Sequence, residues 1–186
     1  MKISVADYIT YKLQQFGLKN IPVYQGGAVM NMIDAIGRSK KINYYVPYHE
    51  QALSMQVDTL ARLDGFAAGF VTSGPGATNL LSGVCCAWYD SIPCLFITGQ
   101  VGEIHIKDKR KIRQLGFQET DTVSIFNSVT KFSTQIRDPN LIEYLLEKCF
   151  YIAKSGRPGP VHIDIPYNIQ RAIIDTKKLK TFNLEQ

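Results

Sequence analysis

The sequence predicts an α/β domain with a mainly parallel sheet of about six strands and helices on both faces. Short apolar runs alternate with longer segments of helical periodicity, which is the pattern of strands joined by helices. The chain has 186 residues, 45% hydrophobic and 20% charged, which is enough for one domain with a sizeable core. The strand-like runs are residues 21–24, 42–46, 67–72, 92–98, 129–132 and 161–165.

The first helices have recognisable ends. A helix begins after Ser4, an N-cap residue with Asp7 three positions later, and ends at Gly17. Gly26 and Gly27 then turn the chain from the first strand into a second helix. The helices after the first are predicted at residues 28–36, 49–63, 77–88 and 139–153.

Prolines bound several of the later elements. Pro47 ends the second strand, and Pro93 is tolerated because it lies near the start of its strand. Asp138 introduces the last long helix, and the run 161–165 lies between two prolines. The domain therefore spans residues 1–170. Residues 171–186 have weak periodicity and no predicted partner element, so we interpret them as the start of a linker to further domains.

Charge and targeting signals predict a cytoplasmic protein with no membrane or nucleic-acid partner. No apolar run approaches the roughly 20 residues needed to cross a bilayer, and the N-terminus lacks a signal-peptide pattern. The net charge is +5, but the densest basic cluster, residues 107–113, contains an acid and no aromatic residue for base stacking. We therefore interpret this cluster as a solvated loop.

The cysteines predict neither a metal site nor a disulfide framework. All four lie in apolar stretches, without CxxC spacing and without nearby histidines. We interpret them as buried small hydrophobic residues. They are Cys85, Cys86, Cys94 and Cys149.

Candidate functional residues follow the predicted strands, because ligands of an open parallel sheet bind beyond the carboxyl ends of its strands. The four segments are residues 25–28 (QGGA), 49–51 (HEQ), 72–79 (TSGPGATN) and 99–101 (GQV). The glycines of segment 72–79 suit a phosphate cradle at a helix start, but a third glycine and a Walker lysine are absent. A tight strand-to-helix turn explains the same glycines. Glu50, by position alone, is either a functional carboxylate or a first-turn acid that favours the helix dipole.

Five longer strings resemble the acetolactate synthases, a family of thiamine diphosphate enzymes. They are TSGPGATN at 72–79, DSIP at 90–93, TGQV at 98–101, FQETD at 117–121 and GRPGPVHIDIP at 156–166. Their order and spacing also match, and the resemblance covers about residues 4–170. It implies the doubly wound α/β domain that binds the aminopyrimidine of thiamine diphosphate.

The resemblance implies roles for individual residues. Glu50 would be the carboxylate that hydrogen-bonds the pyrimidine ring and activates the cofactor, and Gln118 would be a second catalytic residue beside the site. Gln118 and Lys131 would contact the substrate, although a solvated strand-end lysine is the alternative for Lys131. The other residues implied to hold the cofactor are Gly26, Gly27, Ala28, Thr72, Pro75 and Asn79. The glycine-rich loop would then serve a neutral ring rather than a phosphate.

The implied reaction is decarboxylation of a 2-keto acid followed by carboligation. Several departures leave the substrate open: Gln25 replaces a common proline, helix segment 53–60 is bulkier and more polar, and residues 103–113 form a basic insertion. Relatives with the same domain act on pyruvate, oxalyl-CoA, glyoxylate, aromatic keto acids or sugar-derived compounds. Another thiamine diphosphate decarboxylase or lyase is therefore the alternative.

The diphosphate half of such a site has no counterpart in these residues. The family holds Mg²⁺ and diphosphate with a Gly-Asp-Gly segment and a later asparagine, whereas the single Asp-Gly pair here, Asp64-Gly65, has no preceding glycine. We expect this domain alone to be inactive and another domain, in a longer chain or in a partner subunit, to supply that half. A noncatalytic dimerisation or regulatory relic is a third interpretation.

The resemblance also bears on assembly and on a second cofactor. It implies a homodimer or homotetramer, because the family's site spans two chains, and an exposed apolar patch near the glycine-rich loop would be the sign of it. The sequence leaves open whether a missing middle domain holds FAD.

Overall fold

The computed structural model of the protein describes residues 1–108 and 110–183. The strands are β1 (Lys2–Ser4), β2 (Asn20–Pro22), β3 (Asn43–Tyr45), β4 (Ala67–Val71), β5 (Cys94–Gln100), β6 (Phe132–Gln135), β7 (Val161–Pro166) and β8 (Ile173–Asp175). The helices are α1 (Val5–Gln15), α2 (Met30–Arg38), α3 (Glu50–Asp64), α4 (Pro75–Thr78), α5 (Leu81–Tyr89), α6 (Thr122–Phe126), α7 (Ile142–Lys154) and α8 (Tyr167–Arg171).

The central sheet is parallel and has four strands in the order β4-β5-β7-β6. A parallel pair, β2 and β3, lies beside β4 and is joined to it by a bridge between Val23 and Phe70. The Tyr24 N–H also donates to the Phe70 carbonyl at 2.8 Å. The predicted α/β class and parallel pairing are confirmed, but six strands in one continuous sheet are not.

Helices cover both faces of this sheet, as a doubly wound fold requires. Successive residues of a strand point to opposite faces, so Leu95 and Ile97 of β5 pack into one hydrophobic cluster. Cys94 and Phe96 pack into the other. The first cluster includes side chains of α1, α2 and α7, and the second includes side chains of α3, α5 and α6.

Local hydrogen bonds explain where the helices begin and end. Ser4 Oγ accepts from the Asp7 N–H at 3.1 Å, so Ser4 is the predicted N-cap of α1. The helix α3 ends at Gly65, whose φ of 76° lies in the left-handed region that glycine tolerates best. The helix predicted at 77–88 is instead divided into α4 and α5.

One predicted strand is displaced along the chain. A strand was expected at 129–132, but β6 begins at Phe132. The intervening residues form a turn after α6, in which the Val129 N–H and the Thr130 hydroxyl both donate to the Phe126 carbonyl. The helix α6 itself was not predicted, and its turn takes up the residues that the apolar pattern had placed in the strand.

The C-terminal segment has a partner, contrary to the prediction of a tail without one. The strand β8 pairs antiparallel with β1, with Ile174 opposite Ile3. Further along, Phe182 packs edge-to-face on Tyr144 of α7, and its N–H donates to Glu147 at 2.8 Å. The strand β8 and the side chain of Phe182 thus pack on the domain. The assignment of residues 171–186 to a linker stays a prediction, and residues 184–186 lie outside the described part.

The cysteine prediction is right for two of the four residues. Cys94 and Cys149 are buried, and burial raises the pKa of both thiols. Cys85 is half-buried and Cys86 is exposed, because α5 turns its outer face to solvent. Within residues 1–108 and 110–183, no helix is long and apolar enough to cross a membrane.

Candidate functional site

An open cavity of about 490 Å³ lies at the carboxyl ends of β4 and β5. Parallel strands direct their carboxyl ends to one edge of the sheet, so segments distant in sequence meet there. Residues from five segments line the cavity, among them Gly26, Ala28, Thr72, Gln100, His105 and Gln118. Three of the four segments selected from sequence, 25–28, 72–79 and 99–101, therefore contribute to one cavity.

Thr72 connects the two glycine-containing segments. Its hydroxyl oxygen accepts a hydrogen bond from the Ala28 N–H at 3.2 Å. A Cβ atom added at Gly26 would lie 2.4 Å from the Thr72 Cβ, a separation that real side chains do not adopt. Gly27 has no neighbour near its own Cβ position. The close approach therefore requires glycine at position 26 and not at position 27.

Glu50 begins α3 and is nearly buried. Its residue exposure is 9%, and Asn79 Nδ2 donates to its Oε2 at 3.0 Å. The backbone turns into α3 at His49, whose Nδ1 accepts from the Gln51 N–H. Glu50 is thus not the solvent-exposed first-turn acid of the alternative interpretation. Its carboxylate is nearly buried and is bound by Asn79, the last residue of segment 72–79.

Gly76 brings Glu50 and Thr72 to the same small space. A Cβ atom at Gly76 would lie 2.7 Å from the Thr72 Cγ2 and 3.4 Å from the Glu50 Oε1. Glycine at this position leaves space beside Oε1 and Thr72 that a side chain would fill, while Oε2 accepts from Asn79 Nδ2. The carboxylate can therefore accept a hydrogen bond from, or share a proton with, a group placed over Gly76.

Gln118 meets the glycine-rich loop through its backbone. A Cβ atom at Gly74 would lie 2.6 Å from the Gln118 carbonyl oxygen, and Gly74 has a φ of 57°. Gln118 has a φ of 56°, which is uncommon for a residue with a side chain. Its neighbour Phe117 lines the same cavity and is exposed. Pro75, the first residue of α4, is exposed beside this contact.

Lys131 lies at the opposite edge of the sheet from these residues. Its N–H donates to the Pro160 carbonyl, at the amino end of β7. Its Nζ donates to the carbonyls of Ile152 and Ser155, where α7 ends, and desolvation lowers the pKa of the ammonium. Lys131 precedes β6 rather than ending a strand. Within this chain, Lys131 therefore does not lie near the other candidate site residues. It is not a solvated lysine either, because its ammonium is bound by two backbone carbonyls.

A buried polar group beneath the cavity was not selected from the sequence. Asp164 of β7 is wholly buried, and burial raises the pKa of its carboxyl to about 6. Thr98 donates to Oδ1 at 2.5 Å, while Gln100 and Gln135 donate to Oδ2 at 3.1 and 2.8 Å. An aspartate inside the apolar run VHIDIP was the available signal, because charged residues are rarely buried without partners.

His162 extends this polar group on the same strand. Its ring stacks on Phe126 with centroids 4.3 Å apart, and Nε2 lies 2.9 Å from the Thr98 hydroxyl. Burial lowers the pKa of the imidazole to about 3, so the ring is neutral near neutral pH. Nδ1 lies 2.8 Å from the Ser133 hydroxyl. Among the described residues, no three His, Cys, Asp or Glu side chains converge on a metal position.

Comparison with known proteins identifies what the chain is similar to. Residues 3–125 match the family model described as thiamine pyrophosphate enzyme, N-terminal TPP binding domain. Acetolactate synthase 2, chloroplastic, of Nicotiana tabacum is 39% identical over 170 residues, which cover 91% of this chain and 25% of that protein. The acetolactate synthase large subunit of Lactococcus lactis is 38% identical over 89% of this chain and 28% of its own length.

A third relative comes from an archaeon. The probable acetolactate synthase large subunit of Methanocaldococcus jannaschii is 40% identical over 93% of this chain and 28% of its own length. The matched stretch thus spans about a quarter of each of these relatives.

Proposed function

We propose that this chain holds the pyrimidine half of thiamine diphosphate, which is also called thiamine pyrophosphate (TPP). The chain belongs to the thiamine pyrophosphate enzymes and matches their N-terminal TPP binding domain. The observation that carries the proposal is the Glu50 carboxylate, which is 9% exposed and bound on one oxygen by Asn79. Its second oxygen faces the space over Gly76. A shielded carboxylate with one free acceptor suits proton exchange with a ring nitrogen.

The neighbouring residues fit a flat, neutral ring. Gly26, Gly76 and Thr72 pack so closely that no further side chain can enter between them. Thr72 also fixes the backbone of the QGGA segment through the Ala28 N–H. These contacts pack Gly26, Thr72 and Gly76 together beside Glu50, and close packing around the residues that position a cofactor favours catalysis.

In this proposal each residue has a defined task. Thiamine diphosphate, when bound, supplies the carbon nucleophile and the electron sink for decarboxylating a 2-keto acid and joining the fragment to a second carbonyl. Glu50 holds or releases a proton at Oε1, and Asn79 keeps the carboxylate oriented. Gln118 and the residues that line the cavity, among them Ala28, receive the substrate and limit access of water.

The full reaction is proposed to be acetolactate synthase-like, because the relatives that this chain matches are named acetolactate synthases. The sequence contains no Gly-Asp-Gly segment, so we place Mg²⁺ and the diphosphate in another domain, of a longer chain or of a partner subunit. A homodimer or homotetramer follows if the site spans two chains. Another thiamine diphosphate decarboxylase or lyase is the second candidate.

The substitution Glu50→Gln tests the role of the carboxylate. Glutamine keeps an oxygen that can accept from Asn79 but cannot take up a proton in the same way. In the enzyme assembled with its diphosphate-binding half, we expect deuterium exchange at the reactive thiazolium carbon to slow by about 100-fold or more. Exchange is followed by proton NMR after rapid acid quench.

The matched control is Asp64→Asn, which neutralises an exposed carboxylate at the last residue of the same helix. This variant should exchange at the wild-type rate. If Glu50→Gln binds the cofactor and also exchanges at the wild-type rate, the assignment of Glu50 is wrong.

A further inference from the structure

Asp164 is the point where three side chains from neighbouring strands meet. Thr98 and Gln100 reach it from β5, and Gln135 reaches it from β6. All three donate hydrogen bonds, and an ionised carboxylate can only accept. Asp164 therefore determines which way each amide group is turned, because a rotated amide would place its oxygen against the carboxylate.

Gln100 links Asp164 to the surface of the cavity through its side-chain amide. Its Nε2 donates to Asp164 Oδ2 and also to the Thr120 carbonyl at 2.9 Å, while its Oε1 accepts from the Val101 N–H at 3.1 Å. Gln100 is 2% exposed, yet it lines the cavity that contains Gln118. All of its polar atoms are thus engaged, and its amide orientation holds Thr120 in place.

Thr120 belongs to a loop in which the neighbouring Glu119 accepts two backbone hydrogen bonds. Both oxygens of Glu119 accept backbone N–H groups at 2.8 Å, one from Lys107 and one from Leu115. The same loop places Gln118 against Gly74. We define residues 115–121 as the cavity loop. A shift at Thr120 would move Gln118 relative to the glycine-rich loop, because only one residue separates them.

We propose that Asp164 is a positioning residue that fixes the cavity loop through Gln100 and so sets the location of Gln118. The role of Gln118 in this statement rests on the proposed function, whereas the link from Asp164 to the loop does not. Asp164 does not line the cavity, so its effect is transmitted by Gln100 and Thr120.

The test is hydrogen exchange of the chain, followed residue by residue by NMR. In Asp164→Leu, which has no acceptor, the hydrogen bond from Gln100 is lost. We expect exchange at the Leu115 and Glu119 N–H groups to rise about tenfold, relative to amides of β5 that report global unfolding.

Thr98→Val is the first control, because Thr98 donates to the same carboxylate and, among the described residues, no hydrogen bond joins it to Gln100 or to the cavity loop. If it raises loop exchange as much as Asp164→Leu, the effect is general loosening and the proposal is overturned. If Asp164→Leu does not fold, Gln100→Leu replaces it and Gln135→Leu is its control. Exchange must then rise in Gln100→Leu alone, and an unchanged loop in Gln100→Leu overturns the proposal.

A second measurement separates this inference from the proposed function. In the assembled enzyme, Asp164→Leu should raise KM for the 2-keto acid while thiazolium exchange, which depends on Glu50, stays at the wild-type rate. Failure of the Glu50→Gln test would leave the hydrogen-exchange result unaffected. Wild-type loop exchange in Asp164→Leu would overturn this inference and leave the role of Glu50 intact.

Discussion

Single atoms decide which glycines the cavity requires. At Gly26 the obstacle is the Thr72 Cβ, which is attached directly to the backbone of the residue after β4 and cannot rotate away. At Gly27 nothing lies near the Cβ position. The two adjacent glycines look equivalent in the sequence QGGA, so only the distance to Thr72 distinguishes them.

The substitution Gly26→Ala should therefore destabilise the protein, and Gly27→Ala should not. The added methyl at position 26 must displace Thr72 and weaken its bond to the Ala28 N–H, at a cost of about 1–3 kcal/mol in the free energy of unfolding. Urea denaturation of both variants measures the difference. Equal stabilities for the two variants would show that the segment relaxes without strain.

Single residues also show the limits of sequence patterns. Glu50 was a helix-start acid by position, and the resemblance alone singled it out. In the structure it is nearly buried, and its carboxylate is bound by Asn79, which lies 29 positions later. Lys131 was also implied by the resemblance, with a solvated lysine as the alternative, and a turn at residues 127–131 places it at the amino ends of β6 and β7. The strand β6 begins three residues later than predicted, and Lys131 lies apart from the other predicted site residues.

At the scale of elements, β7 carries two buried titratable groups with opposite effects on stability. His162 has a folded pKa of about 3, below its ordinary 6.5, so its contribution to stability is present above pH 6.5 and is lost as pH falls toward 3. Asp164 has a folded pKa of about 6, above its ordinary 3.8, so its contribution is present below 3.8 and is lost as pH rises through 6.

The variant His162→Phe isolates the histidine contribution. Phenylalanine can keep the stacking on Phe126, and the Ser133 hydroxyl still has the Val123 carbonyl as acceptor. The Thr98 hydroxyl still donates to Asp164. Relative to wild type, the variant should gain about 1.4 kcal/mol of unfolding free energy per pH unit between pH 6 and 4. Chemical denaturation at several pH values measures this slope, and a constant difference would contradict the assignment.

Elements differ in how well their sequences predict them. The helix α1 was predicted with its cap because Ser4 and Asp7 interact within one turn. The division of the predicted helix 77–88 into α4 and α5 was not predicted, since its apolar pattern continues across the break. The side chain of Asn79, at that break, bonds Glu50 of α3. The break between α4 and α5, which local periodicity did not reveal, thus coincides with a side-chain contact to α3.

At the scale of the whole molecule, the first strand of the chain pairs with the last strand. The strands β1 and β8 pair antiparallel, and the Met1 ammonium lies 3.4 Å from Asp175. Ile174 is 2% exposed within the main hydrophobic cluster, whereas Ile173 beside it is 65% exposed. The core therefore includes a residue beyond position 170, where the predicted domain ends.

Ile174→Ala and Ile173→Ala test this extension of the domain. The first variant should lose about 2–5 kcal/mol of unfolding free energy because it opens a cavity in the core. The second should change it by less than about 0.5 kcal/mol, as expected for a surface position. The two variants can be compared by thermal or urea unfolding. Similar small losses in both would indicate that β8 contributes little to the folded domain.

The sequence by itself determined the α/β class, most of the strands and helices and the strings that identify the family, because these depend on residues close together in the chain. The tertiary structure decided which side chains face one another. It placed Asn79 on Glu50, Thr72 against Gly26, Gln100 on Asp164, and Lys131 away from the cavity. Such contacts join residues distant in sequence, and they form only when strands and helices pack with particular boundaries and register.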